Sequence, residues 1–168
     1  MKLEPFALER FFARHEFQVE HLLCASDCET LSVGELLAME PGAEADFAAL
    51  RLGYTETAGS LELRRDIAGL YRGITAADIL VFAGAEEAIF VFMNAVLNAG
   101  DHAWVHSPCY QSLAAVAVGN GCRVTPWPAS QENGWELDLD ELERSTPSAT
   151  RALVVNFPHN PTGFLPPH

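Results

Sequence analysis

The run Val81-Phe82-Ala83-Gly84-Ala85-Glu86-Glu87-Ala88-Ile89 carries an apolar stretch through a glycine directly into a helical pattern. The first N–H groups of such a helix lack intrahelical acceptors, and the helix dipole adds partial positive charge there. Gly84, Ala85 and Glu86 therefore make an anion site in waiting, with a phosphate accommodated on the backbone of Ala85 and Glu86. Farther on, Pro108-Cys109-Tyr110 sets a flat, rigid ring after a predicted strand, a group that orients a planar ligand at small entropic cost. The stretch Asn156-Phe157-Pro158-His159-Asn160-Pro161-Thr162-Gly163 is dense in turn formers, Asn-Pro followed by Thr-Gly. Each has a plainer reading. Strand-glycine-helix turns occur throughout α/β proteins, and a tyrosine such as Tyr110 also packs between a strand and a helix.

Other chemistries find less support. His102, His106 and Cys109 have metal-like spacing, and a strand places residues four apart on one face. Histidines flanking a strand end account for the same pattern, so no metal is assigned. The cysteines Cys24, Cys28, Cys109 and Cys122 fit neither a small disulfide scaffold nor a zinc ribbon and read as reduced thiols. Formal charge is −13, and the 10 basic residues are scattered, so no basic face for nucleic acid follows. No apolar run reaches the roughly 18 residues of a membrane span. Glu4, Glu9, Arg10, Arg14 and Glu16 replace the core of a signal peptide, which makes the cytoplasm the expected compartment.

With 49% apolar residues the chain can build a core of single-domain size. Leu8, Phe11, Phe12 and His15 lie at helical spacing after Pro5. Ser32 and Glu35 form a capping-box pattern, and residues 43–50 read as another short helix. From Gly53 the pattern turns to strands and helices in alternation, the signature of a parallel sheet with crossover helices. Strands are predicted over 79–82, 103–106, 123–127 and 152–157. Helices are predicted along Leu63, Ile67, Leu70 and Tyr71 after the cap Ser60, and over 85–97, 111–118 and 138–144. The expected architecture is α/β, an open αβα layering from Gly53 onward, preceded by a helical arm outside those layers. The final predicted strand has no following helix to cover it, so the domain reads as incomplete.

Taken in order, these stretches resemble the class I/II aminotransferases, fold type I enzymes dependent on pyridoxal 5'-phosphate. The run from Tyr54 through Gly59, Leu63 and Arg64 is similar to that family's tyrosine, glycine and Leu-Arg pattern. Gly100-Asp101, a strand, then Pro108-Cys109-Tyr110 is similar to its Gly-Asp and Pro-x-Tyr pattern, and Asn156 to Gly163 to its asparagine motif. Four motifs in the family's order span about two thirds of the chain, residues 53–166. The resemblance implies that Gly84, Ala85 and Glu86 hold the cofactor phosphate, Tyr110 stacks on the pyridine, and Asn160 donates to the phenolic oxygen. It also implies that Tyr54 reaches the phosphate of the other subunit of a homodimer. Ser26 and Asp27 are candidate substrate contacts, because the family's N-terminal loop closes over the substrate. Residues 1–52 then read as the N-terminal arm and a small-domain segment, and residues 53–168 as the first part of the cofactor-binding large domain.

The implied reaction is transamination between an amino acid and a 2-oxo acid. The family also needs a Schiff-base lysine, an aspartate on the pyridine nitrogen and an arginine for the substrate carboxylate, all normally beyond the asparagine motif. None is assigned here, since the one lysine is Lys2, and the 168-residue chain by itself is expected to be inactive. Two alternatives stay open within that resemblance: a non-catalytic fragment, or another fold type I enzyme such as a lyase, decarboxylase or cyclising enzyme. A nucleotide-binding domain built on the Gly84 turn would want three glycines and a carboxylate about 20 residues on at a strand end, where His102 and Trp104 stand instead.

Overall fold

A computed structural model describes residues 2–167 of the chain, which divide into two compact units. One unit comprises Met1–Ser26 with Ala83–His168, and the other Asp27–Phe82.

The first unit is built on a parallel three-stranded sheet of β1 (His102–Ser107), β2 (Arg123–Pro128) and β3 (Thr150–Val154), ordered β2-β1-β3. Helix α5 (Ala85–Val96) precedes β1, α6 (Ser112–Gly119) crosses from β1 to β2, and α7 (Leu139–Ser145) lies between β2 and β3. Met93 and Leu97 at the end of α5 meet Val116 and Ala117 of α6 and Cys122, with Val124, Ala152 and Val154 of the sheet against them. β3 keeps a period of two: Ala152 and Val154 turn toward this core while Leu153 is half exposed at 49%. The α/β class and the parallel sheet agree with the alternation in the sequence, and the chain supplies part of the layered fold.

Helix α1 (Ala7–His15) belongs to this same unit. The helical N-terminal segment up to Ser26 thus packs with the sheet-bearing unit. Gln111 is the fastener: its Oε1 accepts from Ala7 N at 3.0 Å and its Nε2 donates to Pro5 O at 3.1 Å. Nothing near Pro5 in sequence announces a partner so far along the chain.

The second unit holds α2 (Val33–Leu37), α3 (Ala43–Ala49), α4 (Leu61–Gly69) and a 3-10 turn at Ala76–Asp78. Ser32 and Glu35 close the capping box reciprocally at 3.2 and 2.8 Å. Ser60 Oγ caps α4 by accepting from Leu63 N. Residues 79–82 correct one expectation, for they form no strand and do not share the sheet of β1 and β3. An apolar run satisfies strand propensity, but a strand also needs a neighbour with which to exchange hydrogen bonds. Here the backbone bond is Val81 N to Ala58 O at 3.0 Å. Gly59 is tight against this segment: its φ is +96°, and a Cβ there would lie 2.6 Å from Val81 Cγ2. Arg64 ties the turn together by donating to Gly59 O at 2.9 Å and to Ala76 O at 2.8 Å.

Candidate cofactor site

The strand order dictates where a ligand belongs. The chain leaves β1 for β2 on one side and returns to β3 on the other side of β1, so the carboxyl ends of β1 and β3 flank a topological switch point, where open parallel sheets bind ligands. The segment Ser107–Tyr110 follows β1, and Asn156–Asn160 follows β3.

An open pocket of about 490 Å³ lies there, lined by Gly84, Ala85, Glu86, Tyr110, Asn156 and Asn160 together with Ser26, Ile89 and Leu113. That volume suits a small cofactor. Gly84, at φ 138° and ψ 159°, turns the chain into α5, a conformation that side-chain-bearing residues rarely adopt. A Cβ at Gly84 would meet nothing within 4 Å, so the backbone faces open space at the helix start. The N–H groups of Ala85, Glu86 and Glu87 stand in the first turn with no intrahelical acceptor. Both acidic side chains here are tethered: Glu87 Oε2 accepts from Ala83 N at 2.8 Å, and Glu86 Oε1 from Ser112 Oγ at 2.8 Å. No lining residue carries a positive charge, so an anion here is held by backbone N–H groups and the helix dipole.

Tyr110 is braced from behind by α1. Its ring sits 5.0 Å from that of Phe6, and its hydroxyl donates to Glu9 Oε1 at 2.7 Å. That hydrogen bond, then burial, then the charges of Glu9 and Glu86 push the phenol up to about 12. Tyr110 is therefore a neutral ring with its O–H directed at Glu9. In the same pocket lining, Asn156 Oδ1 accepts from Asn160 N at 2.8 Å and holds the asparagine turn closed. Asn160 Nδ2 lies 3.4 Å from Ser26 Oγ, near the outer limit of a hydrogen bond. The bonds Ser107-Pro108, Phe157-Pro158 and Asn160-Pro161 that frame these loops are cis.

Of the residues singled out in the sequence, Gly84, Ala85, Glu86, Tyr110, Asn160 and Ser26 line this pocket. Tyr54 and Asp27 belong to the other compact unit, where both are exposed. Ile89, Leu113, Glu9 and Phe6 were not anticipated, because side chains at those positions carry no motif. His102, once a metal candidate, bridges the sheet instead: Nδ1 meets Thr150 Oγ1 at 2.7 Å and Nε2 meets Thr125 Oγ1 at 2.8 Å. Among the described residues no cluster of three metal-ligating side chains occurs. No helix among them is long and apolar enough to cross a membrane.

An open helix N-terminus, a flat neutral ring and an amide donor line one pocket, a set whose chemistry fits an anionic group carried on a planar ring. Comparison with known proteins gives the same direction. Capreomycidine synthase of Streptomyces vinaceus is 33% identical over 160 residues, 93% of this chain and 41% of that protein. Arginine–pyruvate transaminase of Pseudomonas aeruginosa is 35% identical over 66% of this chain and 29% of its own. Among solved structures, a PLP-dependent aminotransferase from Streptococcus suis superposes with a TM-score of 0.88 at 28% identity, covering 96% of this chain and 44% of that one. The PLP-dependent cyclase OrfR gives 0.83 at 33% identity, covering 98% and 43%. The chain thus spans less than half the length of these relatives. The sequence profile of the class I and II aminotransferases matches residues 23–168, and the chain belongs to that family, whose cofactor is pyridoxal phosphate.

Proposed function

We propose that this chain forms the first part of the cofactor-binding half of an aminotransferase acting between an amino acid and a 2-oxo acid. The observation that carries the reading is the convergence of Gly84–Glu86, Tyr110 and Asn160 on one pocket at the switch point of the sheet. Pyridoxal phosphate, when bound, supplies an electron sink for chemistry at the α-carbon of an amino acid. The N–H groups of Ala85 and Glu86 hold its phosphate, and the Tyr110 ring orients the pyridine by its face. Asn160 Nδ2 donates to the phenolic oxygen. Ile89 and Leu113 keep water from the apolar side of the pocket. Ser26, at the rim beside Asn160, is the proposed substrate contact, with Asp27 next to it in sequence. Tyr54 is assigned to the phosphate of a second subunit in a homodimer. Residues 1–52 form the N-terminal arm and small-domain segment of the whole enzyme, and residues 53–168 the beginning of its large domain.

A second reading has its own support. The match to capreomycidine synthase runs over 93% of the chain and that to the cyclase structure over 98%, whereas the arginine–pyruvate transaminase match covers 66%. The likeness to these two proteins takes in the N-terminal segment with Ser26 and Asp27, as does that to the Streptococcus suis aminotransferase structure over 96% of the chain, so a cyclising reaction on the same cofactor stands beside transamination as a reading of equal footing. Incubating the enzyme that carries this chain with pyridoxal phosphate, amino acids and 2-oxo acids separates the two. Transamination yields a new 2-oxo acid; a ring-closed product without one supports cyclisation. Binding is tested separately through Asn160→Ala, expected to weaken pyridoxal phosphate binding about tenfold by loss of one hydrogen bond to a charged oxygen. Equal affinity in the variant would remove Asn160 from the site.

A further inference from the structure

Two buried histidines, His106 and His159, adjoin the loops that line the pocket, and neither has a place in the function just described. His159, adjacent to Asn160, is only 2% exposed. Its Nε2 lies 2.7 Å from Pro108 O, and its Nδ1 lies 2.6 Å from Thr162 Oγ1. A carbonyl oxygen can only accept, so Nε2 carries a proton. The Thr162 hydroxyl also accepts from Phe164 N at 3.3 Å, which leaves its own proton free to go to Nδ1. With that proton directed to Nδ1, the bonds run one way, from Phe164 N–H through the Thr162 hydroxyl to the imidazole and on to Pro108 O. A neutral ring protonated at Nε2 satisfies every link.

The ring has a fixed seat. His106, at the end of β1, lies against it with centroids 3.8 Å apart and planes 15° from parallel. His106 is 1% exposed, and neither of its nitrogens has a hydrogen-bond partner among the described residues. Burial first, and the neighbouring His159 second, hold His106 below the ordinary imidazole range. A neutral flat face is thus what His106 offers. The backbone brackets His159 as well, its N donating to Phe164 O at 2.8 Å and its O accepting from Gly163 N at 2.6 Å.

Pro108 stands two residues before Tyr110, and His159 one before Asn160. We infer that His159 is a positioning residue: seated on His106, its Nε2–H bond to Pro108 O sets the distance between the loop that presents Tyr110 and the loop that presents Asn160. The inference rests on the reading that those two residues grip the cofactor ring. The phosphate turn at Gly84–Glu86 lies outside this bond network, so the device acts on ring recognition and leaves phosphate binding alone.

The test uses two shape-matched variants of the enzyme that carries this chain. His159→Gln keeps a donor near the position of Nε2, whereas His159→Asn keeps a group near Nδ1 and loses the reach to Pro108. Pyridoxal phosphate and inorganic phosphate are titrated separately. The expected result is an affinity for pyridoxal phosphate about tenfold lower in His159→Asn, restored to within about threefold in His159→Gln, with inorganic phosphate unchanged throughout. Equal losses in both variants, or parallel loss of inorganic phosphate, would show a merely structural histidine and overturn the inference. Nitrogen-15 imidazole spectra of the unaltered, cofactor-free protein test it independently of any variant. A slowly exchanging Nε2–H on His159 supports the inference, and the Nδ1–H tautomer sinks it. Should the unaltered protein bind inorganic phosphate but not pyridoxal phosphate, the cofactor reading fails by itself, and the imidazole spectra still decide whether His159 ties the loops.

Discussion

At the level of single residues, the pocket depends on side chains held by partners remote in sequence. Tyr110 is the clearest case, since its hydroxyl is committed to Glu9, 101 residues away. Its phenol is raised to about 12 by that bond, by burial and by the charges of Glu9 and Glu86. A folded-state value above the unfolded value of about 10 means that the bond stabilises the fold fully below pH 10 and is lost as pH rises toward 12. Glu9→Gln removes the carboxylate and should lower the Tyr110 transition toward the ordinary tyrosine range in an ultraviolet titration. An unchanged transition would mean that α1 does not hold the ring. Gly59 presents a different dependence. With φ at +96° and Val81 Cγ2 2.6 Å from where a Cβ would sit, Gly59→Ala meets both strain and a clash. A loss of about 2 kcal/mol or more is expected in urea unfolding, and Val81→Ala in the same chain should recover part of it. Gly84, Tyr110 and Asn160 were legible in the sequence because each sits in a contiguous motif. Glu9 and Phe6, and the tie between Ser26 and Asn160 across 134 residues, were not, since no local pattern encodes a contact at that separation.

Among the elements, helices proved easier to read than strands. The cap at Ser60, the Ser32–Glu35 box and the apolar faces of α5 and α6 are local signals, and each corresponds to an element within a few residues of where it was expected. Residues 79–82 failed because pairing is not local: their composition is strand-like, yet no described strand lies beside them. The sheet that does form is clipped by His102, whose two nitrogens reach Thr125 on β2 and Thr150 on β3 from the central strand. Burial, then the charge of Arg123, keeps this imidazole below its usual range, so it works as a neutral donor and acceptor. His102→Leu fills the space but strands two hydroxyls, an expected loss of about 1–3 kcal/mol. Adding Thr125→Val and Thr150→Val to it should return much of that loss, because matched apolar partners leave nothing unpaired. A double-mutant cycle showing simple additivity would argue that the histidine is not a clip.

For the molecule as a whole, one face of the sheet is covered by α5 and α6 while the other exposes Leu153 and Val155 beside a groove lined by Trp127, Leu139, Phe157 and Phe164. Parallel sheets are ordinarily covered on both faces, and the relatives are more than twice as long as this chain. On the proposed reading, the pocket lined by Gly84, Glu86, Tyr110 and Asn160 would supply one wall of contacts to the cofactor. It contains no amine to bind the cofactor covalently. Lys2 is the one lysine of the sequence, and it borders a different groove, with Pro5, Ala7, Gln111, Ala114 and Val118. Exposed there, it is placed to react with pyridoxal phosphate only as any surface amine does. The 168-residue chain is accordingly expected to bind pyridoxal phosphate reversibly, to be labelled at Lys2 without saturation when borohydride is added, and to produce no 2-oxo acid from any amino donor. Inorganic phosphate should compete with the reversible binding at the Gly84 turn and leave the Lys2 labelling untouched. Saturable, one-to-one labelling of Lys2 that phosphate suppresses, accompanied by measurable transamination, would place the reactive amine in the N-terminal arm and require a different active site from the one built at the switch point.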